Sequence, residues 1–144
     1  MRLRTGFTLI EMVIVISIVT MLIGGSALGY GRYQQNARNA RRKSDLEQIR
    51  AALELYRSNT VNGNYPTSWY GGALNWQNEL SPYFGGNIAN IPKDPSTNQY
   101  YDYDASPTWC SGGGASRCTS YTLTTTLELG GICIVDPNKP ASSC

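Results

Sequence analysis

Histidine is absent from this chain of 144 residues. That removes the side chain most used for acid–base work near neutral pH and for zinc ligation. There is no Gly-x-Ser-x-Gly, no glycine-rich phosphate loop and no Cys-x-x-Cys, and the carboxylates form no recognisable catalytic pair. These absences argue against an enzyme and against a zinc site. The formal net charge is only +2, too small to make nucleic acid an expected partner. Charge is scarcest between residues 7 and 28, where Glu11 is the only ionisable side chain.

That apolar run of 22 residues would measure about 33 Å as a helix, enough to cross a bilayer core. It is long for the hydrophobic part of a secretory signal peptide, and Gly24-Gly25-Ser26-Ala27 is only a loose match to a cleavage site. A plain anchor fits the length but leaves Glu11 unexplained. A carboxylate at the bilayer centre costs roughly 2.5–3.5 kcal/mol on insertion scales, so Glu11 asks for a partner.

Cysteine is missing until late in the chain. Cys110, Cys118, Cys133 and Cys144 form an even set at the globular end, which points to disulfides and an oxidising compartment. Four cysteines allow three connectivities. Cys110–Cys118 with Cys133–Cys144 is favoured, because both close short local loops. This places the C-terminal part outside the cytoplasm. The positive-inside rule disagrees, since Arg2 and Arg4 precede the run while Arg32, Arg38, Arg41, Arg42 and Lys43 follow it. The disulfide argument is preferred, because a second device can fix orientation.

Such a device lies at the start. A short basic leader, Met1-Arg2-Leu3-Arg4-Thr5-Gly6, runs directly into Phe7-Thr8-Leu9-Ile10-Glu11 and the apolar helix. This order closely resembles the processing signal of type IV pilins and type II secretion pseudopilins. The resemblance implies that a prepilin peptidase cuts between Gly6 and Phe7 on the cytoplasmic side and N-methylates Phe7. The cut precedes the hydrophobic segment, so the anchor stays with the mature protein. It also creates a positive amine four residues before Glu11. An amine and a carboxylate attract strongly in a low-dielectric layer, where either alone is costly. In the family the glutamate is thought to pair with the amine of a neighbouring subunit and set the register of assembly.

After the run the chain reads as a long helix, free of Pro and Gly over residues 36–58. Leu46, Ile49, Leu53 and Tyr56 form an apolar stripe, with Asp45, Glu47, Arg50, Glu54 and Arg57 on other faces. Glu47–Arg50 and Glu54–Arg57 have the i, i+3 spacing of helix-stabilising pairs. Gly24, Gly25, Gly29 and Gly31 interrupt the upper half, and Leu28 stands where many relatives carry proline. Those glycines are expected to supply the stretchable segment of a filament subunit. The basic cluster reads foremost as a solvated or lipid-facing surface, with acidic residues of adjacent subunits or DNA as alternative partners.

Asn62-Gly63-Asn64-Tyr65-Pro66 ends the stem with turn chemistry. A short helix is expected within residues 69–84, anchored by Ala73-Leu74 and Leu80. Residues 100–103, 121–129 and 132–135 read as strands, with a turn at Gly130-Gly131. The stem and Ile91-Pro92-Lys93-Asp94-Pro95 resemble major pseudopilins, although Ser96-Thr97-Asn98 departs from their usual sequence. Such proteins bind calcium in a C-terminal loop, for which Asp94, Asp102, Asp104 and Asp136 are weak candidates; ordinary surface carboxylates are the preferred reading, and no other cofactor is expected.

The fold class expected is α+β and pilin-like: a long N-terminal helix, membrane-spanning in its first half, packed on a small antiparallel sheet. The expected divisions are a leader (1–6), a transmembrane or filament-core helix (7–30), an amphipathic stem (31–61) and a head (62–144) with disulfide loops. The function implied is a structural subunit of a type II secretion pseudopilus or type IV pilus. Its implied partners are further copies of itself, prepilin peptidase, an inner-membrane assembly platform, membrane lipids and minor pilins or pseudopilins. Its implied place is the inner membrane, with the head outside the cytoplasm, then a filament in the periplasm or on the surface. The alternatives are a monomeric membrane-anchored adhesin, using Trp69, Trp76 and Trp109 as contacts, or a DNA-uptake pilin.

Overall fold

A computed structural model describes residues 6–27, 30–68, 75–107, 110 and 117–144. The chain divides into two compact units, Met1–Gln35 and Asn36–Cys144.

The first unit holds helix α1, Leu9–Ala27. Its side chains are apolar on every face, and Phe7, Leu9, Ile10, Met21, Leu22 and Ile23 are all largely exposed. A helix with no polar face has no self-contained core to build. Among the described residues no helix is long and apolar enough to cross a membrane. Leu28 and Gly29, and with them part of the expected stretchable segment, lie outside the described residues. At Gly24 and Gly31 an added Cβ would meet open space.

Helix α2, Tyr30–Asn59, begins in the first unit and supplies the stem of the second. Ala-, Leu- and Arg-rich sequence without Pro or Gly after residue 31 keeps it unbroken. Its stripe of Leu46, Ile49, Ala52 and Leu53 is buried in the core. Burial of each large apolar side chain stabilises the fold by about 1.5–3 kcal/mol. Thr60 ends the helix by returning its hydroxyl to the Tyr56 carbonyl, and Gly63 turns the chain at φ 63°.

Opposite the stripe lies a three-stranded antiparallel sheet of order β1-β2-β3: β1 Asp102–Ser106, β2 Ser120–Thr126 and β3 Ile132–Val135. The register sets Tyr103 against Leu123 and Leu123 against Val135. Strict alternation turns Tyr103, Ala105, Tyr121, Leu123, Thr125, Cys133 and Val135 inward. The first strand starts two residues later than expected and the second ends at Thr126, three residues early. Tyr100 is drawn out of the sheet, its hydroxyl donating to the Ile88 carbonyl and its ring meeting Trp76 edge-on. Beyond Thr126 the chain enters the hairpin loop, closed by Gly130 and Gly131 at φ 91° and 98°.

A short helix α3, Asn75–Leu80, covers the sheet with Trp76 and Leu80. Ala73 and Leu74, expected as its anchors, lie outside the described residues. Tyr65, Trp76, Tyr103 and Tyr121 form a continuous aromatic cluster. Disulfides join Cys110 to Cys118 and Cys133 to Cys144. The architecture is α+β and pilin-like, a long helix packed with a small antiparallel sheet.

Candidate functional site

Two sets of side chains stand out, one in each unit. The first is at the start of α1. Thr8 occupies the position before the helix, and its carbonyl accepts the first intrahelical bond, from the Met12 amide at 3.4 Å. The Thr8 amide and hydroxyl donate to Glu11 Oε2 at 2.8 and 2.9 Å, and the Glu11 amide returns a bond to Thr8 Oγ1 at 3.3 Å. This is a capping box: two side chains reciprocally satisfy amides that a helix start leaves unpaired. Glu11 therefore has a local partner, Thr8, in addition to any it finds on assembly. The signal was present as Thr-x-x-Glu ahead of an apolar run. Both donors reach Oε2; among the described residues none reaches Oε1.

The hydroxyls of Ser17 and Thr20 on α1 are also satisfied locally. Ser17 Oγ donates to the Val13 carbonyl at 2.7 Å, and Thr20 Oγ1 to the Ile16 carbonyl at 2.9 Å. Such back-bonding lets a polar side chain enter an apolar medium without an unmet donor. Gly6 and Phe7, the expected processing site, are exposed and precede the helix.

The second set lines the stem of the other unit. Arg42 is only 4% exposed at its side chain. Its Nε donates to Asp94 Oδ2 at 2.6 Å, its Nη2 to Ser96 Oγ at 2.9 Å and its Nη1 to Asn39 Oδ1 at 2.9 Å. Glu128 lies 3.2 Å from Nη1 and takes a fork from Arg38. Asn39 Oδ1 also accepts from the Glu128 amide, and Asp94 Oδ1 accepts the amides of Ser96 and Thr97. One seam thus fastens the loop after residue 94 and the β2–β3 loop to α2. Hydrogen bonding from Arg42 holds the Asp94 carboxyl down at about 2, and the Arg38 fork does the same for Glu128, at about 2. Nearby, Asp45 is pushed up by burial, against a hydrogen bond from the Tyr101 hydroxyl at 2.8 Å.

Several sequence expectations change here. Arg38 and Arg42 are not free members of a basic surface; they are committed to acids of their own chain. Asp45, expected off the apolar stripe, is itself buried. Trp76 is no exposed contact, being 6% exposed within the core, while Trp69 and Trp109 lie outside the described residues. The expected pairs Glu47–Arg50 and Glu54–Arg57 are present at 3.3 and 4.0 Å. Glu47 also accepts the Ala141 amide, and Arg50 donates to the Pro137 carbonyl, so the same turn of α2 grips the C-terminal segment.

The four calcium candidates are not gathered. Asp94 is spent on Arg42, Asp102 and Asp104 point outward from β1, and Asp136 accepts the Asn138 amide within its own turn. Among the described residues no group of three or more Cys, Asp or Glu side chains is placed to hold a metal ion.

A family model described as the prokaryotic N-terminal methylation motif matches residues 1–27. The chain carries a prepilin-type signal. That motif is characteristic of type IV pilins and pseudopilins, and it ends where α1 ends, so it covers the expected processing site, the capping box and the apolar helix but none of the head. No curated protein and no solved structure matches the chain.

Proposed function

We propose that this prepilin is a structural subunit of a type IV pilin-like filament, a type II secretion pseudopilus or a type IV pilus. Prepilin peptidase cuts between Gly6 and Phe7 and methylates Phe7. Residues 7–30 hold the product in the cytoplasmic membrane with the head outside, and assembly carries the same helix into a filament core. The observation that carries this reading is the methylation motif leading directly into a helix that is apolar on every face. The 22-residue apolar run in the sequence supports membrane residence, and two disulfides support a head outside the cytoplasm.

Glu11 then has two successive partners. Thr8 occupies Oε2 in the isolated chain, and Oε1, which no other described residue reaches, would receive the Phe7 amine of a neighbour. A Glu11→Val variant, expressed with its assembly machinery, should enter the membrane and be processed normally. Its sheared-filament yield should fall at least tenfold. Normal yield would remove Glu11 from assembly, and absence of filaments from the unaltered chain would remove the filament reading. Electron microscopy with the head labelled separates a surface pilus from a periplasmic pseudopilus.

The DNA-uptake alternative loses two of its five cations, because Arg38 and Arg42 are neutralised within the head. The adhesin alternative loses Trp76 to the core.

A further inference from the structure

The head carries two charged surfaces that its own fold leaves unmatched. On the outer face of β1, Asp102 and Asp104 are exposed and alternate with the buried Tyr103. As next-but-one residues on one strand they stand about 7 Å apart. Their cross-strand neighbours are Thr124 and Thr122, which bring no positive charge. Among the described residues neither aspartate has an ion pair or a side-chain hydrogen bond.

The second surface is a shallow groove between α2 and the loop of residues 89–98, and Arg41 and Lys93 both line it. Arg41 is exposed, one position before the buried Arg42, and forms no ion pair among the described residues. Its charge is felt by Asp45, but that carboxylate is buried and bonded to Tyr101. The Lys93 ammonium lies 4.6 Å from the centre of the Tyr100 ring, which steadies the side chain without neutralising it. The carboxylate nearest in sequence, Asp94, is already bound by Arg42. Arg42 and Arg38 thus absorb the acids of the seam, and among the described residues Arg41 and Lys93 are left without an ion pair.

We propose that the Arg41–Lys93 groove receives the Asp102–Asp104 edge of a second copy of this chain. The two surfaces are different parts of one molecule, so the contact is heterologous, and repeating it propagates a line of subunits instead of closing a twofold dimer. Two cations on flexible stems can meet two carboxylates on a rigid strand, and the opposite signs fix which neighbour fits. This inference rests on the filament reading and adds to it a head-to-head contact separate from the Glu11 contact in the helices.

The test is charge exchange in the full chain, read as sheared-filament yield. Arg41→Glu with Lys93→Glu should lower yield at least tenfold, and so should Asp102→Lys with Asp104→Lys. All four substitutions together should return yield to within about threefold of the unaltered chain. Unchanged yield from either pair, or a quadruple variant no better than the pairs, overturns the proposal. A second readout does not depend on yield. Lys93→Cys with Asp102→Cys should give a disulfide ladder of chains in filaments under mild oxidation; assembled filaments that give only monomer overturn it as well. Failure of the filament reading is recognised separately, because the unaltered chain would then form no filaments.

Discussion

Helix α1 and the head use the same kinds of residue to opposite ends. In α1, isoleucines, valines and methionines face outward on all sides, and Glu11, Ser17 and Thr20 bond to groups one turn earlier in their own segment. In the head, Leu46, Ile49 and Leu53 are buried, and two arginines that look like surface charge are consumed inside a polar seam. The head buries its own apolar side chains; α1 leaves its own exposed. The filament function proposed above would need such a division, because the helix would exchange one apolar surrounding for another while the head stays folded.

The sharpest way to break this contrast is to make one truncation in each region. Leu53→Ala, at a fully buried site, should cost about 3–4 kcal/mol of unfolding free energy through lost transfer and the cavity left behind. Ile14→Ala, on the exposed face of α1, should leave head stability within about 0.5 kcal/mol. Denaturant unfolding of the full chain in detergent, followed by the near-ultraviolet signal of the tyrosine core, measures both. Equal losses would mean that α1 contributes to the head's core.

Arg42→Ala comes next. It leaves Asp94 and Glu128 partly buried without their shared cation, and should cost about 3 kcal/mol. The same variant should alter the acid limb of stability. Asp94 and Glu128 have folded pKa values of about 2, below their ordinary values of 3.8 and 4.5. Their contribution is in full force above about pH 5 and is lost as pH falls towards 2. Asp45 has the opposite sign, because its raised pKa favours the folded state on protonation. The unaltered chain should therefore lose stability on balance between about pH 4 and 2, with two depressed carboxyls against one raised. Arg42→Ala should flatten that fall, and an unchanged slope would show that the seam is not its source.

The contrast also marks what a sequence makes visible. The i, i+3, i+4 stripe of the stem and the alternation around Leu123 announce themselves, since each follows from the period of one element. The seam does not. Arg42 lies in a run of cations that reads as solvated surface, and its partners at Asp94 and Glu128 are 52 and 86 positions away. Only tertiary folding brings them together. Strand limits fail for a similar reason: residues 100–103 are aromatic enough for a strand, but the pairing register with β2 begins at Asp102. At the N-terminus the expensive acid is legible, and its nearest partner is hidden by context, because the apolar run marks Glu11 as a membrane charge although Thr8 stands at the helix start three residues before it.

The smallest effect expected is at that start. Thr8→Val keeps the shape of the side chain and removes the hydroxyl that both caps the Glu11 amide and donates to its carboxylate. Losing an N-cap costs about 1 kcal/mol. Head stability should not move, since Thr8 belongs to the other unit. Amide exchange at Glu11 in micelles should rise about fivefold, the factor corresponding to about 1 kcal/mol of local opening. Unchanged exchange would mean that the cap contributes nothing in an apolar medium. Glu11→Gln keeps an acceptor but removes the charge, so it should preserve most of the exchange protection while still impairing assembly. If Gln assembles normally, the side chain serves as a cap alone. If Gln protects the amide yet fails to assemble, capping and counter-charge are separable properties of one residue, the first directed at its own helix and the second at a neighbour's.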